Sequence, residues 1–182
     1  MRLKKELMEW GKSLFIALGI VVIVRVFFFD PYMVKGESME PTLYEKEKVI
    51  VNKLNFNDDY NRGEIVVIKG KEENYVKRII GLPGDTIIMK NDKLYINGVL
   101  YKEPYLADKL VEAKKKGSYL TGNFGPIKVA NNNYFVMGDN RLYSKDSRNG
   151  LGTFTKEQIV GKSKFVYFPL IEMRTVKWYI RG

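Results

Sequence analysis

Residues 75–98, YVKRIIGLPGDTIIMKNDKLYING, contain the clearest indication of fold class in the sequence. Short runs of β-branched and aromatic residues at 75–80, 86–89 and 93–96 are separated by Pro-Gly and Asn-Asp sequences. Such runs bounded by turn residues predict strands rather than helices. Asn91-Asp92 and Asn97-Gly98 are typical of tight hairpin turns of the primed kind. We therefore expect antiparallel strands in this segment.

The same pattern continues on both sides of residues 75–98. Further strand-like runs lie at 48–53, 64–69, 134–137 and 164–168. Residues 102–131 break the pattern with charged residues and glycines, and they are interpreted as an inserted flap or minor lobe. Thr155-Lys-Glu-Gln158 predicts one helical turn with a capping box. The predicted fold class is mainly β: an all-β catalytic domain of folded or barrel-like sheets, a smaller inserted lobe and one N-terminal transmembrane helix.

The N-terminal segment is the one long apolar run. Residues 13–29 are apolar except for Arg25, which favours a transmembrane anchor of slightly short length. Arg25 could reach the membrane surface, and Phe27-Phe28-Phe29 could form an aromatic belt. Basic residues in 1–12 predict a cytoplasmic tail, which leaves residues 30–182 outside the cell membrane. A buried core helix and a cleaved signal peptide are the alternatives, but Phe29-Asp30-Pro31-Tyr32 lacks the small residues of a cleavage site.

Composition excludes several kinds of active site. The 182 residues contain no cysteine and no histidine, so thiol nucleophiles, Ser-His-Asp triads and His-ligated zinc are impossible. A serine nucleophile would need a lysine, a carboxylate or an α-amino group as its base. The net charge of +10 is spread among acids without a nucleic-acid-binding motif. It favours a surface near anionic lipid, and no nucleic-acid partner is expected.

Two short segments contain a candidate nucleophile and a candidate base. Ser38 lies in Gly36-Glu-Ser-Met-Glu-Pro-Thr42, a pattern that by itself indicates only a turn. Lys77 lies in an apolar strand-like run, where alternation places it on one face with Tyr75 and Ile79. An exposed lysine on an edge strand is one interpretation. The other is a buried lysine whose pKa is low enough to accept a serine proton.

A third segment, Gly138–Gly150, is dense in hydrogen-bonding groups and could be an ordinary polar loop. Ser144 or Ser147 could orient the lysine amine. Asp146 could pair with Arg148, and also with Arg78, to hold the loop against the strand. A role for Asp146 as a second catalytic acid is the alternative, although an adjacent arginine favours the ionised form.

Together these segments resemble type I signal peptidases, most closely the short Gram-positive forms. The resemblance rests on Gly36-x-Ser-Met-x-Pro-Thr42, on residues 75–85 and on Gly-Asp-Asn-Arg-x-x-Ser-x-Asp-Ser-Arg at 138–148. Arg62-Gly63-Glu64 is similar to a shorter box of the family. The resemblance extends from the N-terminal anchor to about Lys164.

The resemblance implies a membrane-bound serine endopeptidase that cleaves signal peptides from exported preproteins through an acyl-enzyme. Ser38 would be the nucleophile, Lys77 the general base and Ser144 the hydroxyl that orients the lysine. Some members have a serine at the position of Gly36, and its hydroxyl joins the oxyanion hole. Glycine has no hydroxyl, so backbone N–H groups, including those of Ser38 and Gly36, would form the oxyanion hole here. Structural support is expected from Arg78, Asp146 and Arg148. The implied substrate-binding residues are Tyr32, Val34, Met39, Leu43, Tyr75 and Val76.

The implied partners are preproteins and the lipid bilayer, with no cofactor and no metal. A self-cleaving repressor also pairs a Gly-x-Ser-Met turn with a Val-Lys-Arg strand, but it carries a helix-turn-helix where this chain carries an apolar segment. A non-catalytic anchored β module is the alternative outside the enzymes. The presence of both Ser38 and Lys77 argues against it.

Overall fold

The computed structural model of the protein describes residues 2–52 and 60–176. Among residues 2–30, it leaves the side chains of 2–5, 7 and 23–30 undescribed. The predicted roles of Arg25 and Phe27–Phe29 lie outside the described side chains and stay predictions.

Strands are the main regular structure of the described chain. The helices are α1 (Arg2–Phe28) and α2 (Ala107–Lys115), and short 3₁₀ turns cover Pro104–Leu106, Lys156–Gln158 and Leu170–Glu172. The strands are β1 (Phe29–Met33), β2 (Lys48–Asn52), β3 (Ile65–Lys69), β4 (Asn74–Gly81), β5 (Thr86–Lys90), β6 (Lys93–Ile96), β7 (Val99–Tyr101), β8 (Phe124–Lys128), β9 (Asn133–Met137), β10 (Phe154–Thr155), β11 (Ile159–Phe168) and β12 (Arg174–Thr175). The predicted mainly-β class is confirmed.

α1 covers residues 13–28 of the predicted anchor (13–29), and the last residue of that anchor, Phe29, begins β1. Within the described residues, no helix meets the combined length and hydropathy requirement for a membrane span.

The strands form two antiparallel sheets. The larger has eight strands in the order β1-β2-β11-β3-β4-β9-β10, with β12 paired to β11. The smaller has four strands in the order β7-β6-β5-β8. Three of its strands precede residue 102, so the second sheet draws on more of the chain than the predicted insertion at 102–131. The limits of that insertion stay a prediction.

The two predicted hairpins form as their turn residues indicate. β5 and β6 pair up to Lys90↔Lys93, which leaves Asn91 and Asp92 as the turn, with φ of 51° and 57°. β6 and β7 pair up to Ile96↔Val99 around Asn97 and Gly98, with φ of 53° and 81°. Positive φ at both central residues gives the twist that adjacent antiparallel strands need.

The capping box at the predicted helical turn also forms, since Gln158 Oε1 accepts the Thr155 N–H at 2.9 Å. The turn covers Lys156–Gln158, between β10 and β11.

Apolar side chains are buried on both faces of the larger sheet. β4 lies between β3 and β9, and from Val76 to Gly81 all of its residues are buried. Val76 packs in one apolar cluster with Val34, Met39 and Leu43. Ile79 packs in another cluster, against which Tyr75 also packs. The predicted alternation along β4 is therefore present, but it separates two buried faces.

Candidate active site

The turn that contains Ser38 is fixed at both of its ends. Val34 donates its N–H to Glu47 O at 2.8 Å, and Lys46 donates to Val34 O at 2.9 Å. Inside the turn, Met39 is fully buried and its carbonyl accepts the N–H groups of Thr42 and Leu43. Buried apolar side chains and backbone hydrogen bonds thus hold the segment, while Ser38 itself stays partly exposed.

Lys77 is buried beneath Ser38. Only 3% of its surface is exposed, so the interpretation as an exposed edge lysine is wrong. Lys77 Nζ and Ser38 Oγ are hydrogen-bonded at a distance of 2.5 Å. A protonated amine donates in this contact, whereas a neutral amine accepts the hydroxyl proton.

Burial lowers the pKa of Lys77 from 10.5 to about 8, because an ammonium ion loses its hydration there. The carboxylates of Asp146 and Asp139 act in the opposite direction, and Arg148 acts with the burial. A substantial fraction of Lys77 is therefore neutral in mildly alkaline solution. A neutral amine within hydrogen-bonding distance of a hydroxyl can activate that hydroxyl as a nucleophile.

The loop after β9 contacts the serine turn directly. Asn140 donates its backbone N–H to Ser38 O and its side-chain amide to Glu37 O, both at 3.0 Å. A Cβ at position 138 would collide with Ser144 Oγ and Ser38 O, so the close approach requires Gly138. Asn140 was not among the predicted site residues. The sequence signal that could have identified Asn140 is its position inside the polar segment Gly138–Gly150.

Ser144 is buried in this loop, next to Gly138. Its hydroxyl forms no hydrogen bond of normal geometry with the described residues, and the expected contact with Lys77 Nζ is not among those formed. A looser contact with the Asp146 carboxylate makes a minor contribution to that group's pKa. Ser147, the alternative, is already used, since its Oγ accepts the Val136 N–H at 2.9 Å. The orienting role of Ser144 stays a prediction.

Asp146 and Arg148 form the expected ion pair. Arg148 Nε and Nη2 donate to the two oxygens of Asp146, each at 2.8 Å. Asp146 also accepts the Gly138 N–H at 3.0 Å. Burial acts to raise the pKa of Asp146, but the hydrogen bond and charge of Arg148 outweigh it and the pKa is lowered. An ionised Asp146 supports a structural role rather than that of a catalytic acid.

The expected pairing of Arg78 with Asp146 is wrong, because the partner of Arg78 is Asp139. Arg78 donates to both Asp139 oxygens, at 2.8 and 2.6 Å, and to Gly63 O at 2.7 Å. Thr42 donates its hydroxyl to Asp139 at 2.5 Å. Both charged side chains are completely buried, so Asp139 joins β4 to the serine turn in water-free surroundings. Asp139 and Thr42 were not among the predicted site residues, although both lie inside the motifs at 36–42 and 138–148.

An open cleft of about 520 Å³ surrounds the Ser38–Lys77 pair. Its lining residues are Lys35, Gly36, Glu37, Ser38, Glu45, Glu72, Glu73, Tyr75, Lys77, Tyr143 and Lys145. Of the six predicted substrate-binding residues, the lining includes Tyr75. Val34, Met39, Leu43 and Val76 lie in the apolar cluster beneath the serine turn, with Tyr32 packed against it. Gly36 lines the cleft with φ of +73°.

The comparisons with known proteins agree on the signal peptidase family. Residues 7–168 match the family described as "Signal peptidase, peptidase S26". The chain is 56% identical over 175 residues to "Signal peptidase I" of Bacillus amyloliquefaciens, covering 96% of this chain and 95% of that protein. It is 56% identical over 173 residues to "Signal peptidase I S" of Bacillus subtilis strain 168, covering 94% of each chain.

A solved structure agrees with these relatives. The crystal structure of a signal peptidase I from Enterococcus faecalis V583 superposes with a TM-score of 0.53 at 33% identity. The match covers 58% of this chain and 97% of that one. The relatives favour a peptidase over a self-cleaving repressor or a non-catalytic β module. The chain belongs to the signal peptidase family, peptidase S26.

Proposed function

We propose that this chain is a signal peptidase I that removes N-terminal signal peptides from exported preproteins, with Ser38 as its nucleophile and Lys77 as its general base. The observation that carries the proposal is the 2.5 Å contact between Ser38 Oγ and the buried Lys77 Nζ. The chain contains no histidine to serve as the base instead. The family and the relatives named above support the substrate class.

The reaction is an acyl transfer. Neutral Lys77 takes the proton of Ser38, and Oγ attacks the carbonyl carbon at the end of the signal peptide. Backbone N–H groups of the serine turn, including those of Ser38 and Gly36, stabilise the oxyanion. The Lys77 ammonium then protonates the leaving amine. Water hydrolyses the acyl-enzyme with Lys77 again as the base.

Ser144 is the orienting hydroxyl in this scheme. It lies buried beside Gly138, which contacts Ser38 O. It has no other well-formed hydrogen bond to the described residues, which leaves the hydroxyl available to accept a bond from the Lys77 amine. Arg78, Asp146 and Arg148 support the strand and loop that hold Lys77 and Ser144.

Substrate specificity comes from small apolar pockets beside the serine turn. Tyr75 lines the cleft, and the cluster containing Val34, Met39 and Val76 lies beneath it. Together with Tyr32 and Leu43, these residues accept small side chains at the first and third positions before the cut.

The enzyme is anchored to the cell membrane by α1, with residues 1–12 cytoplasmic and residues 30–182 outside. Apolar side chains along the described part of α1 are exposed: Met8, Trp10, Leu14, Phe15, Ile16, Leu18, Ile20, Val21 and Val22. Side chains of this kind, exposed along a helix, favour contact with lipid over contact with water. The catalytic domain would then meet preproteins as they emerge from the membrane.

The test is cleavage of a purified preprotein by full-length variants. Ser38→Ala and Lys77→Met should each abolish cleavage while circular dichroism shows a folded protein. Lys145→Met is the matched control, because Lys145 is an exposed lysine of the same cleft, and it should retain most of the activity. A fully active Lys77→Met protein would refute the assignment of the base.

A further inference from the structure

We propose that Glu103 and Tyr105, which follow β7 of the smaller sheet, are positioning residues of the active site that act through Arg141. The inference rests on the proposed function, because it assigns a role in the same reaction. It connects the second sheet to the loop that carries Ser144.

The central contact is a buried ion pair between Glu103 and Arg141. Arg141 donates to both carboxylate oxygens of Glu103, at 3.2 Å from Nη1 and at close range from Nη2. The Glu103 side chain is 6% exposed and the Arg141 side chain is 0% exposed. Burial acts to lower the pKa of Arg141, but Glu103 and Tyr105 outweigh it and raise the pKa, so the guanidinium stays charged.

Tyr105 completes the contact. Its hydroxyl donates to Glu103 Oε1 at 2.6 Å. Burial raises the pKa of this hydroxyl well above 10, which keeps the donated proton in place. The Tyr105 ring also lies 4.0 Å from the Arg78 guanidinium carbon and 6.0 Å from that of Arg141, distances at which a cation is attracted to a ring face.

Arg141 also holds the loop after β9 in place through two further hydrogen bonds. Its Nε donates to Gly138 O at 3.1 Å, and its own carbonyl accepts Arg148 Nη2 at 2.9 Å. Any Cβ at position 138 would collide with Ser144 Oγ and Ser38 O, so the Gly138 backbone lies close to both atoms. The Glu103 carboxylate is therefore three contacts away from the Ser144 hydroxyl and from the backbone carbonyl of Ser38.

Removing the charge of Glu103 would leave Arg141 buried without its anionic partner. Such a charge is unfavourable, and the structure responds by rotating the arginine toward water or by opening the loop. Either response releases Gly138. A displacement of about 1 Å in an active site can lower the rate on the order of 100-fold.

The test compares Glu103→Gln with Glu112→Gln in the full-length protein, using a preprotein substrate. Glu112 belongs to the same lobe but forms an exposed pair with Lys116, so its variant should cleave at the wild-type rate. Glu103→Gln should lower kcat by about 100-fold. If Glu103→Gln keeps the wild-type kcat, the proposal is overturned.

A second readout separates positioning from a general loss of folded protein. Loosening the loop admits water to Lys77, whose charged neighbours are Asp146, Asp139, Arg148 and Glu73. The midpoint of the pH–rate profile should therefore move to higher pH in Glu103→Gln. A lower rate with an unmoved midpoint would indicate only fewer folded molecules and would contradict the proposal.

Tyr105→Phe decides the matter if Glu103→Gln does not fold. It removes the hydroxyl that bonds Glu103 but keeps the ring, and it should lower kcat several-fold with the same direction of midpoint shift. In a double-mutant cycle, Tyr105→Phe should lower kcat little further when Arg141→Gln is already present. If the two changes lower kcat by independent factors that multiply, Tyr105 does not act through Arg141. An error in the proposed function itself would be recognised separately, because the Ser38→Ala protein would then be fully active.

Discussion

At the scale of single residues, the site depends on one lysine that burial makes easier to deprotonate. Lys77 is 3% exposed and has a pKa of about 8. Below that pH its amine is protonated and cannot accept the Ser38 proton. We expect the cleavage rate to rise with pH to a midpoint near 8 and then level off, as measured with a preprotein at constant ionic strength. An acid optimum would contradict the assignment.

The same pKa has a consequence for stability. Since the folded-state pKa of Lys77 lies below its unfolded value of 10.5, the unfolded chain binds more protons between pH 8 and 10.5. Stability from this group therefore rises with pH across that interval, and at pH 7 the full unfavourable contribution is present. Replacing the lysine by methionine removes that contribution, which is on the order of 3 kcal/mol. Thermal melts should show a more stable Lys77→Met protein at pH 7 and a smaller difference above pH 10.

Ser144 and Ser147 offer a matched pair of serines in one loop. Ser144→Ala should lower the rate severely with little change in melting temperature, because its hydroxyl forms no well-aligned hydrogen bond within the part of the chain that the structure describes. Ser147→Ala should do the opposite, since Ser147 Oγ accepts the Val136 N–H and its loss leaves a strand amide unpaired. Rates and melts of both variants check this. Near-normal turnover of Ser144→Ala would show that its hydroxyl is not needed.

At the scale of strands and loops, the sequence predicts features that depend on neighbouring residues, such as turns. The turns at Asn91-Asp92 and Asn97-Gly98 were predictable because few other residues adopt left-handed backbone easily. The two-residue strand β10 and the nine-residue helix α2 were not predicted, because each is too short to give a clear pattern. Partners distant in sequence were also missed. Arg78 pairs with a residue 61 positions away, and only the registration of β4 against β9 decides that this is Asp139.

The Arg78–Asp139 pair links these elements, so its loss should be felt as instability. Asp139→Asn keeps the shape but removes the charge that balances a fully buried guanidinium. Breaking such a pair from one side costs about 3–5 kcal/mol. We expect a much lower melting temperature by calorimetry, while Asp108→Asn, a change at an exposed aspartate in α2, leaves it unchanged. Equal melting temperatures for the two variants would mean that Arg78 finds compensation elsewhere.

At the scale of the whole molecule, the two sheets contribute differently to the proposed reaction. The larger sheet supplies β4 with Lys77, and the turn after β1 supplies Ser38. The segment between β7 and α2 supplies side chains that reach the Gly138–Arg148 loop. The sequence boxes identified the first contribution, because nucleophile and base lie within short motifs. They could not identify the second, since Glu103 and Arg141 meet only after the sheets have formed.

The described apolar side chains of α1 from Leu14 to Val22 are exposed. Deleting residues 2–28 should leave the sheets folded, because the buried residues of their apolar clusters begin at Val34 and include none of the described side chains of α1. The shortened protein should therefore still cleave a soluble peptide at a rate similar to that of the full chain in detergent. With a preprotein embedded in lipid vesicles, its rate should fall at least tenfold, because a bilayer-bound enzyme gains from the high effective concentration of a bilayer-bound substrate. Equal rates on vesicles would mean that α1 does not bring enzyme and substrate together.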